Sequence, residues 1–196
     1  MAWYNFWQKD ENVEEKLNPA QILDSQVSEH SREFTTSYER MYEQLEVVNR
    51  GVNMIVDDCA EIPATISPQG AFRGVVAGVK RGKVEELLNR TPNPFQDINS
   101  FKRNLITDFL LDGNIFVYFD GAHLYHLPAD KVAVKADTET FVEKYTLQDI
   151  DYKVNEIIHI KENSFYSIYR GVSRLKPALR TMQLMKDMRD FQDNFF

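Results

Sequence analysis

Leu110-Leu111-Asp112-Gly113-Asn114-Ile115-Phe116-Val117-Tyr118-Phe119-Asp120-Gly121 is the stretch whose reading decides the fold. Before it, Ile98, Phe101, Leu105 and Phe109 recur at helical spacing, and Asp97 stands where it can cap the first turn. Gly113 stops this helix, because a residue without Cβ enters the left-handed conformation without a steric penalty. Asn114–Phe119 is then rich in β-branched and aromatic residues. Asp120-Gly121 is a two-residue hairpin signal that turns the chain back along Ala122–Leu127. Lys131–Ala136, Phe141–Thr146 and Glu156–Lys161 repeat the strand pattern between polar turns. Helical spacing returns with Leu175, Leu179, Met182, Met185, Met188, Phe191 and Phe195. This switch of period and back predicts an α+β domain, with three main helices around a small, mostly antiparallel sheet.

On the N-terminal side, Thr36 to about Ala60 reads as one helix. Met41, Leu45, Val48, Val52, Ile55 and Cys59 form its apolar stripe, with Glu39, Arg40, Glu43, Glu46 and Arg50 away from it. A coiled-coil seam has the same spacing, but the pattern is too short for one, so the stripe reads as facing a core. Cys59 is accordingly expected as a small buried hydrophobe. Pro63 and Pro68 close the segment, Lys83–Asn89 reads as a short helix, and Thr91-Pro92-Asn93-Pro94 as a rigid turn. Residues 1–35 read as an N-terminal arm opened by Trp3, Tyr4, Phe6 and Trp7, aromatics that dock on the chain's own body or on a neighbour. The expected division is arm 1–35, α+β domain 36–172, and a helix over 173–196.

Composition narrows the function classes. The chain has 196 residues and a net charge of −7, with hydrophobic residues at 43% and aromatics at 12%, which speaks against wholesale disorder. Its apolar runs are too short for a transmembrane span, and the N-terminus lacks the basic and apolar regions of a signal peptide. One cysteine excludes an intrachain disulfide and any cysteine-cluster metal site, and suits a reducing compartment. The acidic balance opposes tight binding to duplex DNA, which favours a basic surplus. One local exception is Arg73, Lys80, Arg81 and Lys83, a Gly-rich basic run that reads first as a solvated loop and second as a contact for DNA or a partner.

Catalytic patterns are weak. The Gly-rich run lacks both the first glycine and the hydroxyl of a phosphate-binding loop, since Ala77 and Val84 stand in those places. Asp108 and Asp112 share a helical face but have no third ligand at helical spacing, so a solvated face is expected. His123 and His126, three apart on a strand, point to opposite faces and cannot chelate one metal. His159, between Ile158 and Ile160, reads as a hydrogen-bonded sheet histidine. Gly171-Val172-Ser173 resembles part of a nucleophile elbow without its second glycine; Ser173 as a helix N-cap, with Pro177 in the first turn, explains the same residues. No cofactor or metal is expected. The rivals to a structural role are a serine hydrolase using Ser173 and His159, and a small adaptor built on the Met41–Cys59 stripe.

Several ordered segments carry a resemblance. They are Leu87-Leu88-Asn89-Arg90-Thr91-Pro92-Asn93-Pro94, then Phe101, and Leu110-Leu111-Asp112-Gly113-Asn114. Next come Leu124-Tyr125-His126-Leu127-Pro128-Ala129-Asp130 and Glu156-Ile157-Ile158-His159-Ile160-Lys161. Tyr169-Arg170-Gly171-Val172-Ser173-Arg174-Leu175 leads into a helix ending Asn194-Phe195-Phe196. In this order, from about Tyr38 to Phe196, the chain resembles the tailed-phage portal (head–tail connector) family. The resemblance implies a non-enzymatic subunit of a ring, usually of twelve copies, at one capsid vertex. It implies a channel for DNA packaging and ejection, and partners in the major capsid protein, terminase, and head-completion or tail proteins. Duplex DNA would pass without being held, no membrane would be involved, and the location would be the virion, with host cytoplasm during assembly. These residues would form a portal wing-like domain, with Asn93, Pro94, Gly113, Asn114, Leu127, Pro128, His159, Gly171 and Ser173 as its structural motif positions. Family members continue beyond the Phe-Phe pair into stem and clip, so a longer subunit is expected.

Overall fold

A computed structural model describes residues 38–65, 81–137 and 141–195 of the chain. Five helices occur there: α1 (described over 38–44), α2 (Glu46–Ala60), α3 (Arg81–Asn89), α4 (Ile98–Leu111) and α5 (Leu179–Phe195). Six strands lie between α4 and α5: β1 (Asn114–Phe119), β2 (Leu124–Leu127), β3 (Val132–Asp137), β4 (Phe141–Leu147), β5 (Ile150–Lys153) and β6 (Ile157–Lys161). The expected α+β class holds, and every strand pair is antiparallel. The single sheet resolves into two of three strands each, ordered β2-β1-β6 and β3-β4-β5.

Asp97 caps α4 as expected, its carboxylate accepting the Ser100 backbone N–H at 3.0 Å. Gly113 ends the helix at φ +81. The hairpin after it is one step looser than its sequence signal. Phe119 pairs with Leu124, so the loop holds four residues, Asp120 to His123. The Asp120 carboxylate accepts the N–H groups of Ala122 (2.7 Å) and His123 (2.6 Å), which makes the Asp a side-chain mimic of a turn. His123 therefore lies in the loop rather than on a strand. Strand β5 alternates apolar and polar residues over Ile150-Asp151-Tyr152-Lys153, but at four residues its signal is too short to announce a strand, and none of them is buried.

The long N-terminal helix is broken. Leu45 is extended (φ −104, ψ 109) and separates α1 from α2. The side chains of Tyr42, Asn49 and Asn53 bridge the break by hydrogen bonds. Tyr38, Met41 and Leu45 are buried on the first segment, but Val52, Val56 and Ala60 form the inward line of the second. Ile55 and Cys59 turn outward, so Cys59 is exposed rather than buried.

Three apolar clusters make the core. One joins α1, α2, Leu111 and Met182; a second joins Phe116 of β1 with Leu127, Val132, Val134, Tyr145 and Ile157; a third joins Leu87, Phe101, Val117 and Leu124. Strand β1 is sandwiched, giving Phe116 to one cluster and Val117 to another through the two-residue period of a strand.

Candidate functional site

The densest chemistry gathers where α4 ends, β1 begins and the chain returns at Arg170-Gly171. Here Asn114, fully buried, is the hub. Its Nδ2 donates to Asp112 Oδ2 at 2.6 Å, and its Oδ1 accepts the Gly171 N–H at 2.7 Å and lies 3.1 Å from His159 Nε2. The opposite ring nitrogen of His159 lies 3.4 Å from the Tyr145 hydroxyl. An acceptor at Asn114 Oδ1 assigns the ring proton to Nε2, leaving Nδ1 to accept from Tyr145. Burial, then the charges of Arg170 and Lys161, hold the His159 pKa down at about 3, so the ring is neutral at ordinary pH. Phe116 stacks on it with centroids 4.2 Å apart.

Arg170 closes the joint. Its guanidinium donates to Asp112 Oδ2 at 2.7 Å, to the Ala129 carbonyl at 2.9 Å and to the Val132 carbonyl. It also lies over Phe116 at 5.5 Å. Arg suits this place because one planar fork can serve a carboxylate and two carbonyls at once. A buried pair of this kind is costly to break, since removing one partner strands the other charge. Gly113 and Gly171 allow the backbones to cross. A Cβ on Gly171 would stand 2.1 Å from the Gly113 carbonyl oxygen, and one on Gly113 would stand 2.4 Å from the Val172 backbone. The Glu162 N–H donates to that same Gly113 carbonyl at 2.8 Å, tying the end of β6 to the crossing.

One helical turn back, Asp108 Oδ2 accepts the Ala129 N–H at 2.9 Å and meets His126 Nε2 at 2.7 Å. The expectation that Asp108 and Asp112 lie on a solvated face is therefore overturned: Asp112 is buried and Asp108 mostly covered. Helix periodicity shows that they share a face, but the strand loop that covers it lies far along the chain. Glu39 of α1 faces the same acids. Burial, then repulsion from Asp130, Asp108, Asp112 and Glu43, raises its pKa to about 7.

The motif positions fall into two groups. Gly113, Asn114, His159 and Gly171 meet in the joint, and Ser173 sits beside it, its hydroxyl donating to the Leu110 carbonyl at 2.9 Å. Asn93, Pro94, Leu127 and Pro128 lie apart from it. Asn93 donates to the Leu124 carbonyl at 2.8 Å and accepts the N–H groups of Phe95 and Gln96, clamping the turn before α4 onto β2. Leu127 joins the Phe116 cluster. The Asp112–Arg170 pair is invisible to sequence reasoning; a buried ion pair 58 residues apart leaves no local pattern.

Ser173 is not the N-cap of α5. It accepts the Leu175 N–H at 3.0 Å in a tight turn, and a 3-10 turn at Lys176–Ala178 precedes the helix. Its hydroxyl partners are Leu110 and Leu175, and the ring of His159 is engaged by Asn114 and Tyr145, so no Ser173–His159 dyad forms. Among the described residues no His, Cys, Asp or Glu cluster suits a metal ion, and no helix is long and apolar enough to cross a membrane. Of the basic run, Arg73 and Lys80 lie outside the described residues. Arg81 is the first residue of α3, and Lys83 is exposed on it. The arm 1–35 also lies outside them.

With this geometry in view, likeness to known proteins is informative. The family described as Phage portal protein matches residues 46–196. The portal protein of Escherichia phage T5 is 36% identical over 193 residues, covering 93% of this chain and 47% of that protein. A chain in the virion of the native gene transfer agent particle superposes with a TM-score of 0.66 at 22% identity, over 82% of this chain and 44% of that one. A chain from the neck of the native particle, computed with C12 symmetry, superposes at 0.67 and 19% identity, over 88% and 50%. The chain thus spans about half the length of these relatives. By family match, by identity to the T5 protein and by fold, the chain belongs to the phage portal protein family.

Proposed function

We propose that this chain supplies the wing-like part of a portal ring subunit at one capsid vertex, and that its work is structural rather than enzymatic. The observation that carries this reading is the closed joint at Asn114. Each reactive side chain in it is committed to holding α4, β1, β6 and the Arg170-Gly171 crossing together. A catalytic site needs a group free to meet substrate, whereas a ring that transmits load needs fixed junctions between its layers. The C12 symmetry of a related neck assembly supports a twelve-copy ring. Capsid protein, terminase and head-completion or tail proteins are the partners this role calls for, with assembly in the host cytoplasm and residence in the virion. Within this reading 1–35 is an arm, 36–172 the wing-like domain, and 173–196 a helix continuing it.

The net charge of −7 supports passage of duplex DNA without tight phosphate contacts. Arg73, Lys80, Arg81 and Lys83 are the place where any weak contact to DNA or a partner would form. Electron microscopy of the protein expressed from its own reading frame tests the proposal. Closed twelve-fold annuli are the expected result. Discrete monomers, or open filaments, would overturn it.

A further inference from the structure

Two exposed surfaces on this chain complement each other. The first is the loop after β6. Ser164 Oγ accepts the N–H groups of Tyr166 and Ser167, and Ser167 Oγ accepts those of Tyr169 and Arg170. Two successive hydroxyl turns fix a loop that would otherwise lose entropy on docking. Its tip is apolar and fully presented: Phe165 is 103% exposed, with Tyr166 and Ile168 exposed beside it. Cations ring the tip. Lys161 donates to the Ile168 carbonyl, Lys176 Nζ stands 3.8 Å from the Tyr166 ring centroid, and exposed Arg174 is tied to Glu162. A rigid aromatic knob with a cationic collar resembles the anchor of a protein interface more than a solvated loop.

The second surface is the outer side of α2. Val56 and Ala60 face the core, yet Val47, Met54 and Ile55 are exposed on the same helix, and Ile62 just beyond it. At 100° per residue Val47, Gly51, Met54, Ile55 and Asp58 share one outward stripe. A Cβ on Gly51 would meet nothing within 4 Å, so the stripe has a shallow open place in its middle. Glu46 pairs with Arg50 and Asp57 with Arg103, and Lys102 donates to the Ile62 carbonyl, so the acidic character of this face rests on Asp58 and Glu61. Helix α2 is thus apolar on two sides, and only one of them is covered by this chain's described residues.

Resting on the ring reading above, we propose that the Phe165 loop of one subunit docks on the outer face of α2 of the next copy. A closed ring joins two different surfaces of each subunit, and these two differ in shape and carry opposite charge. Phe165 and Tyr166 fill the stripe around Gly51 and Met54, while Lys161 and Lys176 face Asp58 and Glu61.

The native cysteine makes the contact testable. Cys59 is exposed near the end of α2. Phe165→Cys in the protein expressed from its own reading frame, treated with a short bismaleimide, should give a ladder of covalent species beyond the dimer. Wild type has one cysteine and should stop at the dimer, as should Phe165→Cys carrying Cys59→Ser. A cysteine at the exposed loop position Asp149 is the control for random collision and should give no ladder. In parallel, Phe165→Asp should leave the melting temperature unchanged and lower the ring population at least tenfold by mass photometry. If wild-type rings are seen but Phe165→Cys yields no ladder, or Phe165→Asp assembles as wild type, this pairing is wrong while the ring stands. An intrachain cross-link at monomer mass would mean that the chain covers its own α2 face, which also overturns the pairing. If wild type forms no rings, the ring reading falls and takes the pairing with it.

Discussion

The crossing at Gly113 and Gly171 and the helix α5 are neighbours in the fold but opposite in how they are held. At the crossing, charge, hydrogen bonds and backbone contact leave no freedom: Asn114 is fully buried and two glycines pass without room for a methyl group. On α5 only Met182 is buried, while Met185, Met188, Phe191 and Phe195 are exposed. A conspicuous apolar stripe in sequence thus marks a surface here, whereas an unremarkable Asp-Gly-Asn marks the centre. Hydrophobic spacing reports which face is apolar, not which face is covered. Coverage is decided by segments that arrive from elsewhere in the chain.

This contrast can be broken most severely at Gly171. Gly171→Ala places a methyl carbon against the Gly113 carbonyl and the Glu162 backbone, none of which is a flexible side-chain end. The expected cost exceeds about 4 kcal/mol, the range of exceptional single substitutions. Urea unfolding should show it, or the variant should fail to accumulate as folded protein. Survival with a loss under about 1 kcal/mol would mean that the two backbones do not meet so closely.

The buried ion pair comes next. Asp112→Ala leaves the Arg170 guanidinium without its carboxylate and Asn114 Nδ2 without its nearest acceptor, for an expected loss of about 3–5 kcal/mol. Arg170→Met, which removes the charge but keeps apolar bulk beside Phe116, should cost less when combined with Asp112→Asn than the two single changes added together. A double-mutant cycle measures that coupling. Strict additivity would show that the pair does not act as a unit.

Much of this molecule is legible in its sequence, and the limits are physical. The Asp97 cap, the Gly113 stop, β1 and the final helix can be read because each depends on residues within a few positions of one another. The break at Leu45 cannot, because a single extended residue leaves the apolar spacing nearly intact. Val48 and Val52 stay on the core side after the break, and the inward line then runs on through Val56 and Ala60, which leaves Ile55 and Cys59 outside it. Ser173 reads as a helix cap because its local sequence allows one. The partner it actually serves, Leu110, is 63 residues away. Asp112 and Arg170 lack any local signal at all. The candidate site is therefore visible as separate motif residues, and only the fold brings them together.

A pH titration probes the joint more finely, because two groups of opposite tendency lie in and beside it. His159 is depressed from 6.5 to about 3, so it is neutral when folded and takes up a proton on unfolding below about 6.5. Its contribution is present above pH 6.5 and is lost as pH falls toward 3, on the order of 2 to 3 kcal/mol by pH 4. Glu39 is raised from 4.5 to about 7, so its contribution is complete below pH 4.5 and lost as pH rises through 7. Because Glu39 is partly exposed, roughly 1 kcal/mol is expected after solvent screening. The two limbs overlap between pH 4.5 and 6.5, where the larger His159 effect wins, so stability should climb to a maximum near pH 6.5 and decline slightly above it. Glu39→Gln should flatten the alkaline limb and His159→Gln the acid limb. An unchanged profile in either variant would remove that residue from the account.

The smallest effect is expected on α5. Met188→Ser with Phe191→Ser removes apolar surface that already faces outward, so unfolding stability should move by no more than about 0.5 kcal/mol. Helix propensity shifts against the change only slightly, since Ser ranks a little below Met and close to Phe. Self-association is the property that should respond. An exposed stripe of Met and Phe gives weak, non-directional attraction between copies, because each contact withdraws apolar surface from water without fixing a geometry. The 196-residue chain on its own is thus expected to be monomeric or loosely associating, and light scattering across a concentration series should show a second virial coefficient that becomes more positive in the double variant. A discrete dodecamer of the 196-residue chain at micromolar concentration would contradict this, as would a double variant that unfolds more easily by about 2 kcal/mol or more. The second outcome would mean that the stripe is covered, and the division between a locked joint and an open helix would no longer hold.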